Sequence, residues 1–136
     1  MAGIHFQFGD FKQLLRLNIG IADRLDENRA ESFTVLYCDF SEIEDETINR
    51  ALKKILRTSD TIANYKKDYF FVLPYTDKYG ADIVKKLFDK FFKKFLNTFL
   101  ISYPADGESA EEITEILQTS VKRFCKRDLD YLDVLK

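Results

Sequence analysis

The segment "TIANYKKDYFFVLP" constrains this chain more than any other. Two stretches rich in β-branched and aromatic residues, Thr61 to Tyr65 and Asp68 to Pro74, are separated only by Lys66 and Lys67. Two intervening residues are the length of a tight hairpin, so the strands must be antiparallel neighbours. The flanks restrict the rest. Upstream lies another strand, "FTVLYCDF" (Phe33 to Phe40), and then an apolar face at helical spacing, Ile48, Ala51, Leu52, Ile55 and Leu56. Downstream, Val84, Leu87, Phe88, Phe91, Phe92 and Phe95 mark a helix from Lys78 to about Phe95, followed by the strand "TFLISYP". Strand, helix, hairpin, helix and strand in that order make a βαββαβ unit, a ferredoxin-like α/β (α+β) core with an antiparallel central sheet. Extra helices flank it: an N-terminal one from about Asp10 to Leu25, ended by the polar "DENRAES", and a C-terminal one opened at Ser109. Ser41 with Glu44, and Ser109 with Glu112, have the S-x-x-E spacing of capping boxes. The tail beyond Arg127 is a short polar and apolar mixture.

The 136 residues suit one domain, 1–136, with 46% hydrophobic and 32% charged residues. A net charge of −2 argues against a dedicated nucleic-acid or membrane-surface protein. Apolar runs are too short for a bilayer span, and Met1 to Gly9 lacks the basic start and apolar stretch of a signal peptide, so the expected location is the cytoplasm. His5 is the only histidine and no CxxC pair exists, which leaves little material for a zinc site or a histidine-based triad. Cys38, inside an apolar strand, reads as a reduced core thiol. Lys85, Lys86, Lys90, Lys93 and Lys94 alternate with an apolar face and read as its wet side.

In the βαββαβ topology the first and third strands are antiparallel neighbours, so the end of one lies beside the start of the other. Asp39 therefore meets Asp68 at one edge of the sheet. Such a pair either holds a divalent cation or simply faces water; the residues alone favour water.

Beyond these patterns, "LRTSDTIANYKKDYFFVLPYTD" resembles the signature segment of GGDEF domains, the diguanylate cyclase family. "FTVLYCDFSEI" is similar to the strand that delivers that family's first metal-binding aspartate, and "ISYPADGESAEEITEILQTSVKRF" to its last strand, turn and closing helix. The likeness spans roughly Phe11 to Arg127, with no single motif intact. It places Lys66 and Lys67 at the two glycines, Asp68 at the metal-binding third position, Tyr69 at the glutamate and Phe70 at the phenylalanine, with Asp39 as the other metal-binding acid.

The departures are as informative. The glycines let a phosphate-cradling turn adopt φ > 0, which a lysine with its Cβ resists. The segment after the first aspartate that shapes the guanine pocket is missing, as is the family's lead-in motif, and its Ala-Asp pair in the last helix is replaced by Thr119 and Ser120. The resemblance therefore implies a degenerate GGDEF-like domain that is not an enzyme and carries a bacterial, cytoplasmic signal-transduction role. No cofactor is expected; magnesium at Asp39 and Asp68 enters only if GTP binding is retained.

Arg57 and Asp60 form an RxxD at the offset of the family's product-binding inhibitory site, implying a cyclic di-GMP receptor. The arginine fork suits a guanine edge or phosphate, and residues three apart at a helix end are neighbours. The alternative is an adaptor that meets a protein partner without nucleotide; a homodimer is open. GTP-binding regulation and RNA binding are lesser alternatives. For RNA, "KDYFFV" partly matches a sheet-surface motif at Lys67, Tyr69, Phe71 and Val72, but Asp68 would repel phosphate and the sequence pI is near 5.5.

Overall fold

A computed structural model describes residues 3–25 and 30–135 of the chain. The strands are β1 (Ile4–His5), β2 (Glu31–Asp39), β3 (Thr61–Tyr65), β4 (Asp68–Pro74) and β5 (Thr98–Pro104). The helices are α1 (Phe11–Leu25), α2 (Asp45–Ile55), α3 (Lys78–Phe92) and α4 (Ala110–Cys125), with 3-10 turns at Phe8–Asp10 and Asp130–Leu135. The strands form one sheet in the order β1-β3-β4-β2-β5, antiparallel except for β1 on β3. Without β1 this is the expected ferredoxin-like order. The two-residue β1 was not foreseen; it adds to the outer edge of β3. The polar residues 26–29, expected to end α1, lie outside the described residues.

The sheet is covered on both faces, and β2 shows why its sequence is apolar almost throughout. Phe33, Val35 and Tyr37 point into a core shared with Phe11 and Leu15 of α1 and Ile113 and Leu117 of α4. Leu36 and Cys38 point the other way, with Ile48 and Leu52 of α2 and Phe88 of α3. The terminal helices are thus the second layer that the βαββαβ unit lacks. Cys38 and Cys125 are free and buried. Burial pushes the Cys38 thiol well up, so it stays protonated in the core. Among the described residues no helix is long and apolar enough to cross a membrane.

Local expectations were corrected in three places. First, α2 begins at Asp45 with Glu44 as its N-cap and no side-chain capping bond, so Ser41 and Glu44 form no box. Asp39 Oδ1 instead accepts from the Ser41 N–H at 3.0 Å. Ser109 does cap α4, accepting from the Glu112 N–H, while the Glu112 carboxylate reaches Glu108 N rather than Ser109. Second, α3 stops at Phe92 because Lys93 turns left-handed (φ 55°). Third, Lys85 is not on a wet face: it is buried, pairs with Asp89 at 2.5 Å, and sits 3.5 Å from the Phe95 ring centroid.

Candidate functional site

Two places gather the residues singled out by the sequence. At the first, the antiparallel register sets Asp39 of β2 opposite Asp68 of β4, as the topology required. The pair does not face water. Asp68 is 4% exposed, and its carboxylate accepts from three donors. The Tyr37 hydroxyl (2.6 Å) and Arg127 Nη2 (2.8 Å) donate to Oδ1, and the Tyr131 hydroxyl (2.7 Å) to Oδ2. Arg127 Nε also lies 3.8 Å from Asp39 Oδ2. A guanidinium thus stands between the two carboxylates, where the family resemblance would put a metal ion.

The chain brings it there by its local turns. Lys126, in left-handed conformation (φ 59°), terminates α4 and reverses the chain so that Arg127 comes back onto the sheet edge. Leu129 and Leu132 are then fully buried, and the Tyr131 ring stacks on Tyr65 of β3 with centroids 4.1 Å apart. Burial, then Asp68, raises the pKa of both Tyr37 and Tyr131 far above the ordinary phenol value. The hydrogen bond to Asp68 is the main cause of a raised Arg127 pKa. Tyr37, Arg127 and Tyr131 escaped the sequence reading. The only signal was the spacing of Leu129 and Leu132 in the tail, too short to show periodicity.

At the hairpin tip beside this corner Tyr65 and Lys66 are exposed. Lys66 does adopt φ 54°, so lysine tolerates the left-handed turn it was expected to resist, at an intrinsic cost of about 1–2 kcal/mol. Asn64 offsets part of this by donating from Nδ2 to the Lys66 carbonyl at 2.8 Å. Lys67 is half-buried. Its ammonium reaches across to the Ile43 carbonyl (2.5 Å) and Asp45 (2.8 Å), while its own carbonyl accepts from Phe40 N. Of the two remaining motif residues, Tyr69 is buried against Phe40, and Phe70 is packed in the core with Phe11 and Tyr37. Tyr69 and Phe71 are therefore not displayed for stacking on RNA bases.

The second place is the end of α2. Asp60 is 2% exposed, and both its oxygens are occupied: Oδ2 by the Arg57 N–H (2.8 Å), Oδ1 by Arg57 Nη2 (3.1 Å). The same Nη2 reaches the Pro74 carbonyl (3.1 Å) and Thr76 Oγ1 (3.0 Å). Every one of these side-chain bonds uses Nη2. Among the described residues Nε and Nη1 make no hydrogen bond, and the Arg57 side chain is 58% exposed. Asp60 is thus the buried anchor and Arg57 the presented group. Beside them opens a groove of about 380 Å³, lined also by Ile55, Tyr75, Thr76, Asp77, Gly80 and Val84. Asp77 caps α3 by accepting from Gly80 N at 2.8 Å, so its charge is committed to the helix end.

Gly80 has a steric reason. A Cβ there would come within 2.9 Å of the Thr76 methyl, and Thr76 holds Arg57. Gly80→Ala is accordingly expected to forfeit the roughly 1 kcal/mol that alanine ordinarily adds in a helix. Its melting temperature should stay at or below that of the parent chain.

Sheet order, register and helical layers define a ferredoxin-like α/β domain whose carboxylate corner is filled by its own arginine. Among solved structures, this chain is similar to PelD 156–455 from Pseudomonas aeruginosa PA14, apo form, with a TM-score of 0.52 and 18% identity over 81% of this chain. The match covers 44% of the PelD chain, so the present chain corresponds to less than half of it. That likeness shows the fold. No family model matches the chain, and no curated protein matches it either.

Proposed function

We propose that this chain is a non-catalytic regulatory domain that binds a guanine nucleotide, cyclic di-GMP in the first instance, in the Arg57 groove. The observation that carries the reading is the state of Arg57: one nitrogen is held by three acceptors, and the donors on Nε and Nη1 are left for a ligand. A guanidinium fixed in this way offers the separate N–H donors of Nε and Nη1, each able to meet a guanine acceptor or a phosphate oxygen, with little further loss of side-chain entropy. Asp60, consumed as the anchor, contributes by holding that geometry rather than by touching the ligand.

The absence of catalysis is supported by the other corner. Condensing two nucleoside triphosphates needs metal to neutralise phosphate charge, and Arg127 stands between the only two carboxylates that the family resemblance offers for it. The same contact argues against GTP held through magnesium at Asp39 and Asp68.

Calorimetry with cyclic di-GMP and with GTP, side by side, tests the reading. Cyclic di-GMP is expected to bind, to stabilise the fold by about 2.7 kcal/mol at a hundredfold excess over Kd, and to lose at least about tenfold in affinity in Arg57→Ala. Heat from GTP with magnesium alone, or binding unchanged in Arg57→Ala, would refute the assignment. The adaptor reading keeps one observation in its favour: Tyr79, Ile83 and Leu87 lie exposed on α3.

A further inference from the structure

We propose that the cleft between α2 and α3, which adjoins the Arg57 groove at Ile55, is a docking groove for an acidic amphipathic helix of a partner protein. The cleft holds about 400 Å³ and is lined by Lys54, Ile55, Leu87, Lys90 and Phe91. Its floor is apolar: Leu87 and Phe91, one turn apart on α3, line it with Ile55 at the end of α2, and the exposed Ile83 lies one turn before Leu87. Leu87 is 44% exposed and Ile83 beside it 45%, so this stripe extends beyond what the domain's own core requires.

The rim names the partner's charge. Lys54 stands on one bank and Lys90 on the other, and among the described residues neither has a carboxylate partner. Their neighbours do: Lys85 pairs with Asp89 and Lys86 with Asp82. Two unneutralised cations astride an apolar floor are complementary to a helix with apolar residues at i, i+3 or i+4, and i+7, flanked by Glu or Asp. The stripe from Ile83 to Phe91 runs about 12 Å at 1.5 Å per residue, a little over two turns of such a helix.

Other occupants fit less well. A second copy related by a two-fold axis through the cleft would set Lys54 and Lys90 against lysines of their own kind. An anionic bilayer would also meet Asp45 and Glu46, which open α2 on the same layer.

The test uses two fluorescein-labelled model peptides of about 16 residues, each with leucines at the stated spacing. One is flanked by glutamates and the other by lysines. Fluorescence anisotropy with the intact chain is expected to give saturable binding of the glutamate peptide only. Lys54→Glu/Lys90→Glu, both exposed positions, should weaken it by about tenfold or more and bind the lysine peptide instead. Leu87→Asp should lose both. Circular dichroism and melting of each variant report that the fold is kept. The proposal is overturned if neither peptide binds, or if both bind the parent chain alike. It also fails if the charge-reversed pair instead abolishes a concentration-dependent dimer in sedimentation, or binding to phosphatidylglycerol vesicles that peptide does not compete away.

Discussion

Arg127→Ala is expected to cost about 3 kcal/mol of folding free energy at pH 7, a fall in melting temperature on the order of 10 °C for a domain of this size. The argument turns on burial. Asp68 is almost wholly enclosed, whereas the guanidinium that neutralises it is only partly so. Removing the cation leaves a carboxylate that cannot return to water, with Tyr37 and Tyr131 as its remaining donors. An exposed pair would lose well under 1 kcal/mol. Urea denaturation decides between the two, and a loss below about 1 kcal/mol would mean that the network is ornamental. Asp68→Asn placed in the Arg127→Ala chain should recover part of the loss, because a neutral amide needs no counter-ion. The vacated corner makes a further expectation testable. Millimolar manganese or magnesium should raise the melting temperature of Arg127→Ala and leave the parent chain unmoved. If the variant does not respond, Asp39 and Asp68 do not make a cation site even when uncovered.

Stability is also expected to fall steeply above pH 10. Burial and the bond to Asp68 hold the Tyr37 and Tyr131 hydroxyls protonated far above the usual phenol range, and burial with the bond to Asp23 pushes Tyr103 up to about 12. In the unfolded chain all three release their protons near pH 10. Above that pH the folded state binds more protons than the unfolded one, so raising the pH favours unfolding. Their contribution is fully present below about pH 10 and is lost as pH rises toward the folded values. Each tyrosine so held adds up to about 1.4 kcal/mol per pH unit to the slope. Urea midpoints between pH 8 and 11 should show the fall, and Tyr131→Phe should make it shallower. A slope unchanged by that substitution would show that the Tyr131 hydroxyl is not held by Asp68.

The topology was legible because each element carries its own local signal. The hairpin strands are separated by two residues, β2 is apolar on both faces, and α3 repeats its apolar residues at helical spacing. Those signals also placed Asp39 beside Asp68, since strand order and direction follow once hairpin and crossovers are known. Helix ends were read less well. The Ser41 and Glu44 spacing promised a cap, but Asp39 claims the Ser41 N–H and α2 starts later.

A βαββαβ sheet with a helix at each end and two acids meeting at its edge follows from the order of residues alone, because periodicity and turn length act over a few neighbouring residues. What that edge is made of depends on the packing of distant segments. Arg127 and Tyr131 reach Asp68 from 59 and 63 residues away in the chain, and Lys67 spans 24 residues to Ile43. Contacts at such separations leave no local pattern. They exist because packing α4 and the tail against the sheet buries a carboxylate, and a buried carboxylate must be met by donors wherever in the chain they arise.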